Sequence, residues 1–363
     1  MQEDDRLMRV LLVTRANAAA KPGGDAVVAE RAAEALRGLG VEADFVASDE
    51  PDARGYDVAH VFGIFDPHVA RAQFAAVRRA GVPLVLSPIW WDRSGFFAIS
   101  PRVERILTER DPRRIDSALA RLRADEPRIV RRPGRGAERR LREQAELMRA
   151  CDVAVTASEV EAFVCATQLR AQHVPYVVAR YGVDSEYFDV PRSAVRSGVV
   201  CVGRIEPLKN QALLLHALRD VDADVTLVGR AYEDAYIALC RRRANRRTRF
   251  VERLARAELQ ALLARSAVHV LPSFGDLPGL VSLEAAALGA RVVAGGRGSE
   301  REYLGPHADY VDPLEPDAIR DAVQRALTRG ARSAGDALDI RLRALTWHGH
   351  AETLREAYAL AVR

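Results

Sequence analysis

Two carboxylates flank a proline-glycine loop in the segment LPSFGDLPGLVSLEAAALGA, residues 271–290. Asp276 precedes the loop and Glu284 follows it, with seven residues between the two acids. The apolar run that ends at VLPS predicts a buried parallel strand, and a helix predicted to begin near Val281 would point free backbone N–H groups at a ligand. Gly279 permits close approach, and the carboxylates accept hydrogen bonds from hydroxyl groups. A polyhydroxylated phosphate ester, such as a nucleotide sugar, meets both demands.

A second cluster, VGRIEPLKN at residues 202–210, places two cations after a predicted strand. Arg204 and Lys209 are five residues apart, and Gly203 ends the strand. The chain has only two lysines, so a lysine at a motif position is more informative than one of its many arginines. Two such cations can neutralise a diphosphate and the negative charge that builds on it as a glycosidic bond breaks. Surface cations near the start of a helix are the alternative interpretation.

A third feature is the turn PGGDAVVAE at residues 22–30. Gly23 and Gly24 could bring backbone amides up to phosphate groups at the start of a helix. An ordinary turn explains the same two glycines when they are taken alone.

Short apolar runs alternate with amphipathic stretches along both halves of the chain, a pattern typical of α/β proteins with parallel sheets. The predicted strands are 9–16, 41–46, 57–63, 83–89, 152–158, 175–180, 197–205, 223–230, 247–253, 267–273 and 290–296. They predict two Rossmann-like, doubly wound domains that face a cleft, the default position for a ligand. The polar stretch 184–197 follows neither period and is predicted to be the linker.

The predicted domains are an N-terminal domain (1–187), a C-terminal domain (188–345) and a terminal helix (346–363). An arginine-rich helical insertion, residues 97–150, lies in the N-terminal domain and holds fifteen arginines against nine acids. A solvated helical insertion explains it. A surface that steers an anionic acceptor or touches anionic lipid is the alternative.

Composition excludes several classes of protein. Hydrophobic residues make up 48% and charged residues 29% of the 363, and we find no apolar run of about 18 residues that could span a bilayer. The acidic N-terminus is the reverse of a signal peptide, so we expect a cytoplasmic protein. Four scattered cysteines form no CxxC pair, which argues against a disulfide framework or a zinc site. The arginine clusters lack the interleaved aromatics of a nucleic-acid binder.

Together these motifs resemble the donor site of retaining glycosyltransferases of the GT-B fold, family 4 (glycosyl transferases group 1), whose usual signature is P-S-x-x-E-G-F-G-L-P-x-L-E. The matching residues are Pro272, Ser273, Gly279, Leu280, Leu283 and Glu284. Asp276 stands where a glutamate is usual, and Leu277, Pro278 and Val281 depart from the common Gly, Phe and Pro. Similarity extends to YGVDSEYF (181–188), to the segment that contains Glu302, and to the last helix. The resemblance implies an N-terminal acceptor domain, a C-terminal nucleotide-sugar donor domain, and a last helix that packs back on the N-terminal domain.

The resemblance implies transfer of a sugar from a UDP or GDP sugar to a hydroxyl of a carbohydrate, lipid-linked or small-molecule acceptor. The anomeric configuration is retained, no metal or cofactor takes part, and the departing phosphate itself takes the acceptor's proton on the front face. The implied catalytic residues are Arg204 and Lys209, as the diphosphate clamp, with Asp276. Asp276 and the backbone around Gly279 and Leu280 would hold the transferred sugar, and Glu284 the ribose hydroxyls. Gly23 and Gly24 correspond to the family's N-terminal glycine loop.

Two departures affect the details. Many members carry a histidine after the fourth strand of the N-terminal domain, where this chain has LSPIWWDRSG (86–95). Asp92 and Trp91 are therefore candidates to contact the sugar or the acceptor, with packing of the tryptophans between the insertion and the sheet as the alternative. Arg253 replaces a glycine that is common beside the nucleotide base, which leaves the base open between UDP and GDP.

Two other functions fit parts of the pattern. A catalytically silent GT-B protein that binds a nucleotide or a partner would explain the departures, although Arg204, Lys209 and Glu284 are retained. A GT-B enzyme of another reaction type would share the fold but not the two-acid signature. Composition and family together suggest a bacterial protein, cytoplasmic or peripheral at the inner face of the membrane.

Overall fold

The computed structural model describes residues 7–21, 23–131, 134–193, 195–330 and 332–363. The strands are β1 (Arg9–Thr14), β2 (Glu42–Ala47), β3 (Val58–Phe62), β4 (Leu84–Ser87), β5 (Val153–Thr156), β6 (Tyr176–Val178), β7 (Ser197–Val202), β8 (Val225–Val228), β9 (Thr248–Val251), β10 (Ser266–Leu271), β11 (Arg291–Gly295) and β12 (Asp309–Val311). The helices are α1 (Gly24–Gly38), α2 (Pro67–Arg79), α3 (Ser94–Ile106), α4 (Pro112–Val130), α5 (Arg135–Ala150), α6 (Glu159–Gln168), α7 (Glu186–Asp189), α8 (Gln211–Ala217), α9 (Asp234–Arg243), α10 (Arg256–Arg265), α11 (Leu280–Ala287), α12 (Glu300–Leu304), α13 (Pro316–Thr328), α14 (Ala337–Arg343) and α15 (Trp347–Ala361).

The chain forms two compact units, and it passes between them four times. The first unit comprises the described parts of Met1–Asp92, Glu138–Gly182 and Leu345–Arg363. The second comprises the described parts of Arg93–Ala137 and Val183–Ala344. The sequence places the whole insertion 97–150 in the N-terminal domain, whereas the structure divides it. Helices α3 and α4 belong to the second unit, and α5 belongs to the first.

The first unit is built on a parallel six-stranded sheet with the strand order β2-β1-β3-β4-β5-β6. Every residue of β3, β4 and β5 is buried. Strands covered on both faces read as continuous apolar runs, which is why the sequence predicts them directly. A buried polar exception is His60 of β3, whose ring nitrogens lie 2.9 Å from the Ser87 hydroxyl and 2.9 Å from the Tyr358 hydroxyl.

The last helix, α15, packs within the first unit, which confirms the expected return of the C-terminal helix to the N-terminal domain. It begins after Thr346, whose hydroxyl accepts a hydrogen bond from the Gly349 amide at 2.9 Å. Such a cap satisfies one of the free N–H groups of the first turn. Tyr358 then reaches His60 from this helix, and His350 lies 3.2 Å from the carbonyls of Ala179 and Arg180.

The second unit carries a second parallel six-stranded sheet, in the order β12-β11-β10-β7-β8-β9. Its apolar core is shared with one face of α3 and α4. The residues that these two helices contribute to the core are Ile99, Val103, Leu107, Ile115, Leu119 and Leu122. Full burial of an Ile, Val or Leu side chain contributes roughly 1.5–3 kcal/mol. The interpretation of this segment as a solvated insertion is therefore wrong for α3 and α4, which form part of the second unit's core.

Polar contacts fix the same helices in place. Asp116 of α4 lies 2.7 Å from the His216 ring and 3.0 Å from the Arg219 guanidinium. The expected linker 184–197 is also more ordered than the sequence suggests, since it contains α7 and the buried Tyr187. The chain enters the second unit at Val183.

Candidate functional site

The two-acid segment folds as a strand, a loop and a helix at the carboxyl end of β10. Strand β10 ends at Leu271 and α11 begins at Leu280, one residue before the predicted start. Gly279, with φ of 74°, lies in the left-handed region and turns the chain into the helix. A side chain would strain this conformation, so the glycine is required by the backbone as well as by ligand approach.

The loop after β10 is fixed against the segment that carries the cations. Lys209 ends a 3-10 turn, Pro207–Lys209, that follows β7. The Leu208 carbonyl accepts hydrogen bonds from the Phe274 amide at 3.0 Å and from the Ser273 hydroxyl at 3.1 Å. Asn210 donates from its side chain to the Pro272 carbonyl at 3.2 Å. The two motifs, distant in sequence, are thus held together by buried hydrogen bonds.

Lys209 and Asp276, each predicted from a separate motif, form an ion pair. The Lys209 ammonium donates to Asp276 Oδ1, and the side chains are 16% and 10% exposed. Asp276 Oδ2 is buried and has no hydrogen-bond partner among the residues that the structure describes. The carboxylate therefore satisfies the lysine with one oxygen and keeps the other available.

Arg204 lies at the end of β7, as predicted, and is paired differently. Its guanidinium donates to Glu206 Oε1 at 3.0 Å, and its side chain is 37% exposed. Gly203 precedes it at the strand end with φ of 151°. Arg204 is thus partly exposed, and it is paired with a half-buried carboxylate of its own turn, which is 24% exposed.

Glu284 lies on α11 beside Tyr187 of α7. The Tyr187 hydroxyl shares a hydrogen bond with Glu284, and burial followed by the charge of this carboxylate raises the pKa of Tyr187. Arg256 lies over the Tyr187 ring, 5.6 Å from its centroid, and forms ion pairs with Asp184 and Glu186. Glu284 is therefore oriented by a specific neighbour and is more than an acid that starts a helix.

The sequence singles out Glu302 and overlooks Ser299 and Glu300, which the structure brings to Asp276. The Ser299 amide donates to the Asp276 carbonyl at 3.0 Å. Glu300 is 3% exposed, and its pKa is raised well above the ordinary value, first by burial and then by the charge of Asp276. A signal was present, because RGSE follows β11 and the carboxyl ends of neighbouring parallel strands meet at one edge.

Helix α4 reaches the same loop through Arg297. Arg297 donates to both carboxylate oxygens of Glu126, at 2.5 and 2.9 Å, and to Asp312 at 2.9 Å. Burial opposes the charge, but the hydrogen bond that Arg297 donates to Glu126 and the charge of Asp312 outweigh it and raise the pKa of Arg297. Phe96 of α3 contacts the Phe274 ring, with centroids 5.5 Å apart. The insertion helices therefore support the loops that carry Asp276 and Ser299.

The predicted residues of the first unit lie at strand ends. Gly23 precedes α1 and Gly24 begins it, after β1 as expected. Asp25, in the first turn of this helix, accepts from the Arg15 guanidinium at 2.7 Å. An acid near a helix N-terminus is electrostatically favourable. The Asp25 carboxylate therefore already occupies this helix start, with its charge balanced by Arg15.

The two tryptophans after β4 have different environments. Trp90 is 2% exposed and its indole N–H donates to Gln144 at 2.9 Å, so it packs in the core instead of stacking on a sugar. Trp91 is half-buried against the core of the first unit, and Asp92 is half-buried beside it. A contact of Trp91 or Asp92 with sugar or acceptor stays a prediction.

The described ranges contain neither a cluster of metal-binding side chains nor an exposed thiol. No group of three or more His, Cys, Asp and Glu side chains there could hold a metal ion. All four cysteines are buried and free, and burial raises the pKa of Cys151, Cys201 and Cys240 to about 12. Thiols with such a pKa are poor nucleophiles at neutral pH.

Comparison with known proteins gives a family match within the second unit and similar solved structures over most of the chain. Residues 196–329 match the family model described as Glycosyl transferases group 1. The chain is similar to a sucrose-phosphate synthase from Thermosynechococcus elongatus, with a TM-score of 0.74 and 16% identity over 97% of this chain and 98% of that one. The fold is GT-B.

Two further solved structures share the GT-B fold. The Anabaena protein HepE in complex with UDP matches with a TM-score of 0.64 and 16% identity, covering 97% of this chain and all 100% of that one. AviGT4, a glycosyltransferase involved in avilamycin A biosynthesis, matches with a TM-score of 0.57 and 16% identity over 98% of each chain. No curated protein matches the chain. At these identities the structural likeness establishes the GT-B fold, and the expectation of two Rossmann-like domains is confirmed.

Proposed function

We propose that this GT-B protein is a family 4 glycosyltransferase that moves a sugar from a nucleotide diphosphate sugar to an acceptor hydroxyl with retention of configuration. The observation that carries the proposal is the Lys209–Asp276 ion pair beside the N-terminus of α11. It places a cation, a hydroxyl-accepting carboxylate and free helix N–H groups at the ends of β7 and β10. The match of residues 196–329 to the group 1 family supports the same assignment.

In the proposed reaction, the bond between the anomeric carbon and the diphosphate oxygen breaks, and the acceptor oxygen bonds to the same face of that carbon. The acceptor's proton passes to the departing diphosphate. Arg204 and Lys209 would neutralise the charge that builds on the leaving group, and one well-placed donor is worth roughly 3 kcal/mol. No side-chain nucleophile, metal or cofactor is needed in this scheme.

The remaining residues would hold the donor. Asp276 and the backbone at Gly279 and Leu280 would bind the transferred sugar, and Glu284, oriented by Tyr187, the ribose hydroxyls. UDP sugars are the first donors to test because HepE was solved with UDP, and GDP sugars are the second. A related trehalose-phosphate synthase was solved with glucose-6-phosphate, which makes a sugar phosphate a reasonable acceptor alongside carbohydrate and lipid-linked ones.

An arginine-lined cavity suggests where an anionic acceptor would bind. It measures about 650 Å³ between α3 and α4 and is lined by Arg105, Arg113, Arg114 and Arg121, with Glu109 on one side. We propose that this surface meets an anionic acceptor or the anionic headgroups at the inner face of a bacterial membrane. No helix of the described ranges is long and apolar enough to cross a bilayer.

The direct test is turnover of a panel of sugar nucleotides, with nucleotide release as the assay and nuclear magnetic resonance for the anomeric configuration of the product. We expect one donor to be consumed with retention, in the presence of a metal chelator, and consumption to fall at least about 100-fold in Lys209→Ala. Binding of a nucleotide without consumption of any donor would favour the catalytically silent alternative. An inverted product would contradict the retaining mechanism, and loss of activity with the chelator would contradict metal independence.

A further inference from the structure

Three buried polar atoms lie near Asp276 without a hydrogen-bond partner in the described part of the chain. They are Asp276 Oδ2, the Ser299 hydroxyl and Glu300 Oε2. Buried polar atoms are nearly always paired, and a group of three unpaired ones at a strand edge calls for a functional explanation. Two of them belong to residues that the proposed donor chemistry does not use.

Close packing at Gly298 brings the Glu300 carboxyl group to the main chain of Asp276. A Cβ atom on Gly298 would stand 2.2 Å from the Asp276 carbonyl oxygen and 2.4 Å from Glu300 Oε2. The two oxygens therefore flank the same point, and only glycine allows this approach. The hydrogen bond from the Ser299 amide to the Asp276 carbonyl fixes the register of the two segments.

The two acids share one nearby cation. Lys209 is paired with Asp276. Burial and the negative charge of Asp276 both oppose ionisation of Glu300. They raise the pKa of Glu300 although the charge of Lys209 acts in the opposite direction. Tyr310 interacts electrostatically with Glu300. The pKa of Tyr310 is raised to about 12, mainly by burial and also by the charge of Glu300, while the charge of Arg301 lowers it. The surroundings thus oppose ionisation of Glu300, and its protonated carboxyl group can donate a hydrogen bond.

Binding of a diphosphate changes this balance. A diphosphate that engages Lys209 removes the cation from Asp276 and leaves a buried carboxylate without its partner, which is costly unless another donor replaces it. The carboxyl group of Glu300 can supply that donor, and the unpaired Asp276 Oδ2 can accept from it. The same loss of a nearby cation makes ionisation of Glu300 still less favourable.

We propose that Glu300 is a positioning residue that donates a hydrogen bond to Asp276 when a nucleotide diphosphate draws Lys209 away. Asp276 then stays in place to receive the hydroxyls of the transferred sugar. This inference rests on the proposed function and adds to it a proton that the site holds or takes up when the nucleotide binds.

Calorimetric titration with UDP and GDP, in two buffers of different ionisation enthalpy between about pH 7 and pH 9, measures that proton directly. We expect the wild type to take up as much as about one proton per bound nucleotide, more as the pH rises. In Glu300→Gln the amide still donates to Asp276, so affinity stays within about threefold of the wild type while the proton uptake is lost. Glu300→Leu removes the donor and should weaken binding roughly tenfold.

A matched control is Glu34→Gln, which removes a 58% exposed carboxyl from α1 and should leave the proton uptake unchanged. Unfolding curves of each variant verify that it is folded. Unchanged uptake in Glu300→Gln, or wild-type affinity in Glu300→Leu, overturns the inference while nucleotide binding and turnover of a donor sustain the proposed function. Failure of both nucleotides to bind the wild type overturns the two together.

Discussion

At the scale of single residues, the central feature is that Asp276 and a diphosphate compete for Lys209. The ion pair lies in a site where both side chains are largely buried, so its energy is not screened away as it would be on the surface. Asp276 consequently balances the charge of the lysine, and the ammonium becomes available to a ligand only by leaving Asp276. The charge of Asp276 should therefore weaken nucleotide binding and favour sugar transfer.

Asp276→Asn tests that competition. The neutral amide releases Lys209, so we expect UDP to bind roughly three- to tenfold more tightly, because one ion-pair partner no longer opposes it. Sugar transfer should fall about 10- to 100-fold, since a carboxylate that accepts hydrogen bonds from hydroxyls is lost. Titration calorimetry and turnover with the same donor measure the two effects. A parallel loss of binding and turnover would show that Asp276 does not compete for Lys209.

At the scale of secondary-structure elements, α3 and α4 belong to the second unit and support its loops. Arg297 joins α4 to the segment before Ser299 through Glu126, whose carboxylate accepts two hydrogen bonds and is 17% exposed. A second pair between α4 and this unit, Arg123 with Glu315, is more exposed, at 46% and 36%. Both pairs join α4 to the second unit: Glu126 contacts the segment after β11, Arg123 contacts the residue before α13, and the first pair is the more buried.

Glu126→Gln should therefore destabilise the protein and weaken UDP binding together. Breaking a partly buried, bidentate pair costs about 1–3 kcal/mol, whereas Arg123→Gln, on the exposed pair, should cost less than about 1 kcal/mol. Thermal unfolding and UDP titration of both variants provide the comparison. Equal effects of the two substitutions, or destabilisation by Glu126→Gln with unchanged UDP affinity, would contradict a supporting role for α4 at the donor loop.

The sequence predicts the regular elements well because buried parallel strands leave continuous apolar runs. Each of the eleven expected strands overlaps an observed one, and only the three-residue β12 (Asp309–Val311) was not expected. The division of the insertion could not be predicted, because helix periodicity reveals an apolar face but not the surface that covers it. Ile99 and Leu119 read the same whether they pack on one unit or the other.

The candidate site residues show the same difference between local sequence pattern and packing in the fold. The sequence predicts Asp276, Lys209 and Glu284 because residue type and spacing indicate their chemistry. It does not predict Glu300, because the importance of this residue comes from burial and from the close approach allowed by Gly298, which are properties of the fold.

At the scale of the whole molecule, the first unit contains two fully buried neutral histidines. Burial, followed by the charge of His350, lowers the pKa of His60 well below its ordinary value, and burial lowers the pKa of His350 to about 4. The unfolded chain binds a proton at each histidine near pH 6.5, whereas the folded unit does not. Their stabilising contribution is therefore complete above that pH and is lost as the pH falls from about 6.5 toward 4.

We expect the pH dependence of thermal unfolding to reflect these histidines. Each should reduce stability by about 1.4 kcal/mol per pH unit within that window. His350→Asn keeps a donor for the Ala179 and Arg180 carbonyls and removes one titrating group, so its unfolding temperature should depend less steeply on pH. His348→Asn, at a side chain that is 63% exposed, is the control and should keep the wild-type slope. An unchanged slope in His350→Asn would contradict this assignment.

The measurement that tests the central claim most directly is calorimetric titration of UDP and GDP into the wild type, Lys209→Ala and Arg246→Ala, an exposed cation of the same unit. We predict that one nucleotide binds the wild type, that Lys209→Ala weakens this binding about 10- to 100-fold through loss of a charge-assisted contact, and that Arg246→Ala leaves it unchanged. Equal affinity in the wild type and Lys209→Ala, or no binding of either nucleotide to the wild type, would contradict a diphosphate site at Lys209.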